Sequence, residues 1–380
     1  MKERIYGTEV ELGVSPVDFL NATDYAFRLI FKHAPLGQAM EDFIAAKRNL
    51  SVFLKNEARF YCDTGIHPEY ATPETRRPRD CVRWEKAGER ILEDAAQAIN
   101  KEADAWVWRR VGGVTFIKNN CNPFGGGSWG WHQNLLAERE QNFIFLTEML
   151  TPFLVSSYIW DGNGKAHISG GGTFKFFLSQ RALVMDNFLG PHTTTVRSMI
   201  STRDEPHADA YKWRRIHVVA KDSHMSELVI YLDLALLGLI IEMCEEGFLE
   251  RGANRLGVPP GESKSSLERE YFEMLHGLNQ DLTLKRVFPL GGERFRALDI
   301  QWKYFEAMKR YEKSSGVDHH TKDALDRFEA LLMKFEQAAQ EDEPEYMLAE
   351  ECDWAAKFVC IKHDAESHAY SLTGPASKEV

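Results

Sequence analysis

The sequence predicts an α+β protein in which a mainly antiparallel sheet of short strands is backed by helices. Three observations predict it. Two N-terminal segments, Arg4 to Val14 and the run from Arg59, alternate apolar and polar residues with the period of a strand. Residues 155–179 read as further short strands around the turns D-G-N-G and S-G-G-G. From Ser226 onward the pattern is helical.

The first strand is R-I-Y-G-T-E-V-E-L-G-V. Period two puts Gly7, Glu9 and Glu11 on one face and turns Tyr6, Val10 and Leu12 toward a core. Successive carboxylates on one strand face repel unless a cation or basic group sits between them. Residues 15–57 carry helical periodicity, with Phe19, Tyr25, Phe27 and Ile30 leading into an amphipathic piece from Met40 to Leu54. The next strand opens Arg59 to Glu74, R-F-Y-C-D-T-G-I-H-P-E-Y-A-T-P-E. Arg59, Tyr61 and Asp63 share a face opposite Phe60, Cys62 and Thr64, until Thr-Gly and His-Pro break the run. A cation, a phenol and a carboxylate are not core material, because burying them unpaired is costly. Glu69 and Thr72 follow the turn, so one short segment delivers several polar groups to one neighbourhood. Magnesium takes about six oxygen ligands at roughly 2.1 Å. If the two strands are neighbours, Glu9, Glu11 and Glu69 supply the fixed oxygens of such a site. The competing readings are a solvated acidic face and a partly exposed edge strand with an Arg–Asp pair.

Arg79 to Asn100 is a helix with Val82, Trp84, Ala87, Ile91, Ala95 and Ile99 as its apolar stripe. A strand, Val114 to Lys118, leads into the glycine-rich loop Asn120 to Gly130. Such a loop can bring its amides to a phosphate, but it has no Walker lysine and reads equally as a surface turn. His132 follows in W-H-Q-N, beside tryptophans, where a packed core histidine is the plainer reading. Phe143 to Phe153 is helical. Ser201 to Ala210 holds Arg203, Asp204, Glu205, His207 and Asp209. The planar fork of Arg203 suits a phosphate or carboxylate, and the alternative is an ion-pair network bracing the strand Arg215 to Ala220. Ser226 caps a long buried helix that runs to Glu246 and ends at Gly247. After a loop at 252–266, helices are expected at 267–278, 296–313, 321–341 and 345–363, with a polar, frayed tail at 364–380.

Formal charge is 46 minus 57, or −11, which argues against a general nucleic-acid surface. Arg76, Arg77 and Arg79 leave room for a local basic groove. The six cysteines show no zinc-like spacing and read as reduced cytoplasmic thiols. The longest apolar segment, Leu228 to Met243, is interrupted by Asp233 and Glu242 and too short to span a membrane.

Together, G-T-E-V-E-L-G-V and the Arg59–Glu74 run closely resemble the Pup ligase and depupylase family, which are glutamine-synthetase-like carboxylate–amine ligases. Further matches are K-N-N at Lys118 to Asn120, S-W-G-W-H-Q-N at Ser128 to Asn134 and T-P-F-L-V at Thr151 to Val155. L-S-Q-R-A at Leu178 to Ala182 and S-T-R-D-E-P-H-A-D-A at Ser201 to Ala210 follow, then R-R-I-H-V, S-H-M-S-E and D-W-A-A-K at Asp353 to Lys357. The resemblance covers nearly the whole chain in order. It implies a curved sheet with the active site on its concave face, within a catalytic domain at 1–363. Relatives continue into a small C-terminal domain that contributes an aromatic residue to the nucleotide pocket, and this domain is expected to be absent here.

The resemblance also implies roles. Glu9, Tyr61 and Glu69 would hold Mg2+, and Arg59 and Thr72 would contact ATP. Within that reaction the fork of Arg203, read from its own chemistry, is expected to face the γ-phosphate. Asp63 would take a proton from the incoming lysine ammonium. The family usually has a glutamate where Gln133 stands. A second metal therefore depends on whether His132 or position 133 is the ligand, which the H-x-H-Q-S motif of glutamine synthetases bears on without deciding. The implied reaction joins the C-terminal glutamate of Pup or a Pup-like peptide to a protein lysine through a γ-glutamyl phosphate. The short connection after Val14 and the form of T-G-I-H-P-E-Y-A-T look more like the ligase branch. The alternatives are a deamidase or depupylase in which Asp63 attacks or directs water, a ligase for another peptide carboxylate, and a silent Pup-binding relative.

Overall fold

The fold is described from a computed structural model, for residues 4–15, 51–63, 67–102, 113–121, 127–168, 174–192, 196–249 and 264–372. Alternation along β1 (Tyr6–Glu11) buries Tyr6 and Val10 on one side and leaves Glu9 half-buried on the other. β2 (Gly13–Ser15) and β3 (Ser51–Phe53) precede β4 (Arg59–Asp63), whose Phe60 is buried, and β5 (His67–Ala71). The amphipathic helix α1 (Pro78–Glu102) lies against β1 and β5, and β6 (Thr115–Ile117) pairs with β2. β7 (Trp131–Glu138) alternates strictly, with Trp131, Gln133, Leu135 and Ala137 buried.

Asn142 caps α2 (Phe143–Ser156) through its side chain, and a short helix α3 (Tyr158–Asp161) follows. The hairpin β8 (Lys165–Ile168) and β9 (Phe174–Phe177) leads to β10 (Asn187–Gly190), β11 (Ser198–Ser201) and β12 (Trp213–Val218). The Ser226 side chain accepts the Val229 amide at the start of α4 (Glu227–Glu245), which is buried almost throughout. Gly247 takes φ 66° just beyond it, a left-handed stop that suits glycine. α5 (Lys264–Leu278), β13 (Phe288–Leu290), β14 (Glu293–Phe295), α6 (Ala297–Ser315), α7 (His319–Ala338), α8 (Pro344–Leu348) and α9 (Asp353–Leu372) complete the described chain.

The main sheet runs in the order β10-β11-β12-β7-β1-β5-β4-β3, and every adjacent pair is antiparallel except β10 with β11. Helices α1 and α4 pack on the face that carries Tyr6, Val10, Trp131 and Leu135, so the opposite face is open to carry polar groups. The expected α+β architecture is therefore present, with local corrections. Residues 155–161 are helical and not strand. Their apolar and aromatic residues are buried on every side, which gives a short helix the look of a core strand. Ser156 and Ser157 satisfy themselves by donating back to Pro152 and Leu154 carbonyls. The expected 345–363 helix is two helices. It breaks where Asp353 turns its carboxylate to accept the Met225 and Ser226 amides at the start of α4.

Much of the glycine-rich loop, the S-G-G-G turn, the 252–266 loop and residues 373–380 lie wholly or mostly outside the described residues. So does most of the helical stretch expected at 15–57, whose described end is instead strand β3, Ser51–Phe53. The tail expected to fray from 364 is helical as far as Leu372, as the end of α9. Lys118, at the end of the expected strand Val114 to Lys118, is not a solvated side chain. It is buried between Glu85 and Glu89, 2.6 Å from each. Glu85 also accepts hydrogen bonds from Thr8 and the Trp131 indole, so this ion pair ties α1 to the back of β1 and β7. No helix among the described residues is long and apolar enough to cross a membrane, and all six cysteines are free.

Candidate active site

Strand register assembles the site. Glu11 lies opposite Glu69 across β1 and β5, and Tyr61 lies opposite Glu69 across β5 and β4. Glu9 lies opposite His132 on β7, and Asp63 opposite His67 at the end of β4. Side chains directly opposite each other have Cβ atoms about 5 Å apart, so Tyr61, Glu69 and Glu11 form one row on the open face. Glu9 and His132 form the next. His132 Nδ1 lies 3.2 Å from Glu9 Oε2 and its Nε2 lies 3.7 Å from Glu11 Oε1, so this imidazole bridges two carboxylates. It is therefore not a packed core residue. The Gly130 amide donates to Glu11 Oε2 at 2.9 Å, and the Glu11 amide donates to the Gly130 carbonyl. A Cβ at Gly130 would stand 2.3 Å from His132 Nε2, so the histidine itself requires glycine there.

Gln133 points the other way. Alternation along β7 buries it, and its amide donates to Asp233 on α4 at 2.9 Å. Of the two neighbours left open by the sequence, His132 is the one at the acid cluster.

The electrostatics follow from packing acids together. Burial pushes the Glu69 carboxyl up, and the charges of Glu9, Glu11 and Asp63 push it further, well above its ordinary value. The Tyr61 phenol is also pushed far up, first by burial and then by Glu69 and Glu9, so it stays neutral and donates to Glu69. Burial also works against the Glu9 carboxylate. The hydrogen bond from His132 and the positive charges around it outweigh that cost and hold Glu9 down at about 2. Burial pushes His217 down to about 3, so it is neutral at physiological pH and bonded through Nδ1 to Asn134 at 2.8 Å. Arg215 then supplies standing positive charge near Glu9. A row of mutually repelling acids is a poor solution for stability alone and a good one for holding a cation.

The remaining expected residues flank this row. Asp63 is partly exposed, and among the described residues its carboxylate has no hydrogen-bond or ion-pair partner. Arg59 is exposed, lies over the Tyr61 ring at 4.6 Å and donates to Ser51. Thr72 uses its hydroxyl oxygen to accept the Thr8 amide at 2.9 Å and also lies 3.7 Å from Cys81 Sγ. Arg203 is exposed in the β11–β12 connection and adds to the positive charge felt by His217. It has no ion pair among the described residues, whereas its neighbours Asp204 and Glu205 pair with Arg139 and Arg215. Sequence reasoning missed Arg215 and His217 as site residues. The signal was in R-R-I-H-V, because period two puts both on one strand face.

Magnesium fits these residues. Glu11, Glu69 and His132 offer ligand atoms within 4.8 Å of one another, as do Glu9, His132 and His217, and the set is rich in carboxylate oxygen. Burial and the neighbouring acids raise the Glu69 carboxyl, and a bound cation would relieve that repulsion.

The comparisons with known proteins converge. A model of the Pup-ligase protein family matches residues 4–380. The chain is 36% identical over 317 residues to a depupylase of Acidothermus cellulolyticus, covering 82% of this chain and 58% of that protein. It is 32% identical over 375 residues to a Pup–protein ligase of Acidimicrobium ferrooxidans, covering 99% of this chain and 76% of that protein. Among solved structures, the ligase PafA in complex with the prokaryotic ubiquitin-like protein Pup superposes with a TM-score of 0.75 at 25% identity, over 98% of this chain and 70% of that one. PafA in complex with ADP gives a TM-score of 0.68 at 26% identity, over 96% of this chain and 73% of that one.

Proposed function

The chain belongs to the Pup ligase family, and from that membership and the acid row we propose that it is an ATP-dependent ligase. It joins the C-terminal glutamate side chain of Pup, or a Pup-like peptide, to a protein lysine in the cytoplasm. The observation that carries this reading is the placement of Asp63, a carboxylate with no partner among the described residues, beside the row Tyr61–Glu69–Glu11. A lysine ammonium cannot attack while charged, and Asp63 is the group available to take its proton. Glu9, Glu11, Glu69 and His132, with the neutral oxygen of Tyr61, would hold Mg2+, which would supply charge neutralisation for phosphate oxygens. Arg59 and Thr72 face the nucleotide from the β4–β5 side, and Arg203 with Arg215 offers guanidinium groups to an anion from the β12 side.

A second reading keeps the site and reverses the outcome. The similarity to a depupylase supports hydrolysis of the same side-chain amide, with Asp63 attacking or directing water. The ligase reading predicts steady ADP formation only when magnesium, the peptide and a lysine-bearing protein are all present. A coupled ADP assay checks it, and chelation of the metal is expected to stop the signal. ADP that fails to accumulate with all components present would count against ligation.

A further inference from the structure

The L-S-Q-R-A motif contains a charge that the proposed reaction does not use. Arg181 opens a 3₁₀ turn, Arg181–Leu183, and is 2% exposed. Its Nη1 donates to Ser128 Oγ at 3.1 Å and its Nη2 to the Val219 carbonyl at 2.8 Å. Its Nε has no hydrogen-bond partner, and among the described residues it has no ion pair. Asp222 accepts the backbone amides of Asn163, Gln180 and Arg181, and none of its hydrogen bonds comes from the guanidinium. A buried guanidinium without its own carboxylate is costly, so its countercharge must lie close by. Ser128 stands two residues before Gly130, whose amide holds Glu11, so a short stretch of backbone links the guanidinium to the acid row. Burial weakens the protonated form of Arg181, and the Glu11 carboxylate is the largest charge acting against that.

We propose that Arg181 is the resident counter-cation of the acid row, partly neutralising Glu11 and its neighbours when no metal is bound and keeping the bound metal weakly held and exchangeable. This rests on the magnesium reading above. A fixed positive charge near the ligands lowers the repulsion among them and also repels an incoming cation. Removing it does the opposite on both counts.

The test is thermal unfolding of the full chain titrated with magnesium chloride, without nucleotide. The wild-type melting temperature is expected to rise with magnesium. Arg181→Gln, which keeps a donor for Ser128, should melt lower without metal and respond to magnesium at roughly tenfold lower concentration. Arg181→Lys keeps the charge while losing the planar fork, and its midpoint should match wild type. A merely structural arginine would lower the melting temperature in both variants without moving either midpoint. An unchanged or weakened magnesium midpoint in Arg181→Gln would overturn the proposal. If that variant does not fold, a shifted midpoint in Arg181→Lys overturns it equally well. A wild-type chain that ignores magnesium would instead remove the metal reading on which the proposal stands.

Discussion

Asp63→Asn is expected to reduce conjugation by about a thousandfold, within the range for removing a positioned general base. The substitution keeps size and shape but cannot accept a proton from a lysine ammonium. The carboxylate is partly exposed and makes no hydrogen bond or ion pair among the described residues, so the fold loses nothing with it. Its melting temperature should stay at the wild-type value, because substitutions away from packing and polar networks change stability by only about 0.5 kcal/mol. Magnesium and nucleotide binding should also persist, since Glu9, Glu11 and Glu69 remain. Steady-state conjugation rates with matched nucleotide titrations check this. A variant that turns over normally would remove Asp63 from the mechanism.

Glu69→Gln is expected to lower activity by about a hundredfold or more through loss of a metal oxygen, and yet to make the metal-free protein more stable at neutral pH. The sign follows from the direction of the shift. The Glu69 carboxyl titrates well above its ordinary 4.5 in the folded chain. The folded state therefore favours the protonated acid, which contributes stability below about pH 4.5 and loses it as pH rises through the folded value. At pH 7 the ionised form costs stability in a row already holding Glu9, Glu11 and Asp63. A neutral amide removes that cost. The melting temperature at pH 7 should rise by about 1–3 °C, and the gain should vanish below pH 4.5. Thermal melts at the two pH values, beside activity at saturating magnesium, read both effects. A loss of stability at pH 7 would mean that the acids do not repel as described.

The stability cost and the function have the same source. Tyr61, Glu69 and Glu11 are brought into one row by register, and a fold selected for stability alone would not place them so. That row was legible in sequence because period two is strict. Glu9 and Glu11 had to share a face, and so did Tyr61 and Asp63. Adjacency of β1 and β5 was only a condition in the sequence, and the register Glu11 to Glu69 meets it.

The identity of the basic partner was less legible. His132 and Gln133 are neighbours on β7, and only knowing which face of β7 meets α4 separates the one bridging Glu9 and Glu11 from the one bonded to Asp233. Lys118 read as a strand-end lysine because its acids, Glu85 and Glu89, are some thirty residues earlier on α1. Arg181 was invisible for the same reason. Its significance depends on Ser128, Gly130 and Glu11, which approach it only in the folded chain. The helical 155–161 stretch was misread because burial on every side erases the periodicity that distinguishes helix from strand.

The central claim is ligation at the acid row, and intact-mass spectrometry tests it most directly. The protein would be incubated with magnesium, ATP, a lysine-bearing protein and a Pup-type peptide ending in either glutamate or glutamine. The account predicts a covalent conjugate from the glutamate form, with ADP formed alongside it. No conjugate, together with a gain of about one dalton on the glutamine form as hydrolysis replaces NH₂ by OH, would contradict ligation and establish the deamidase.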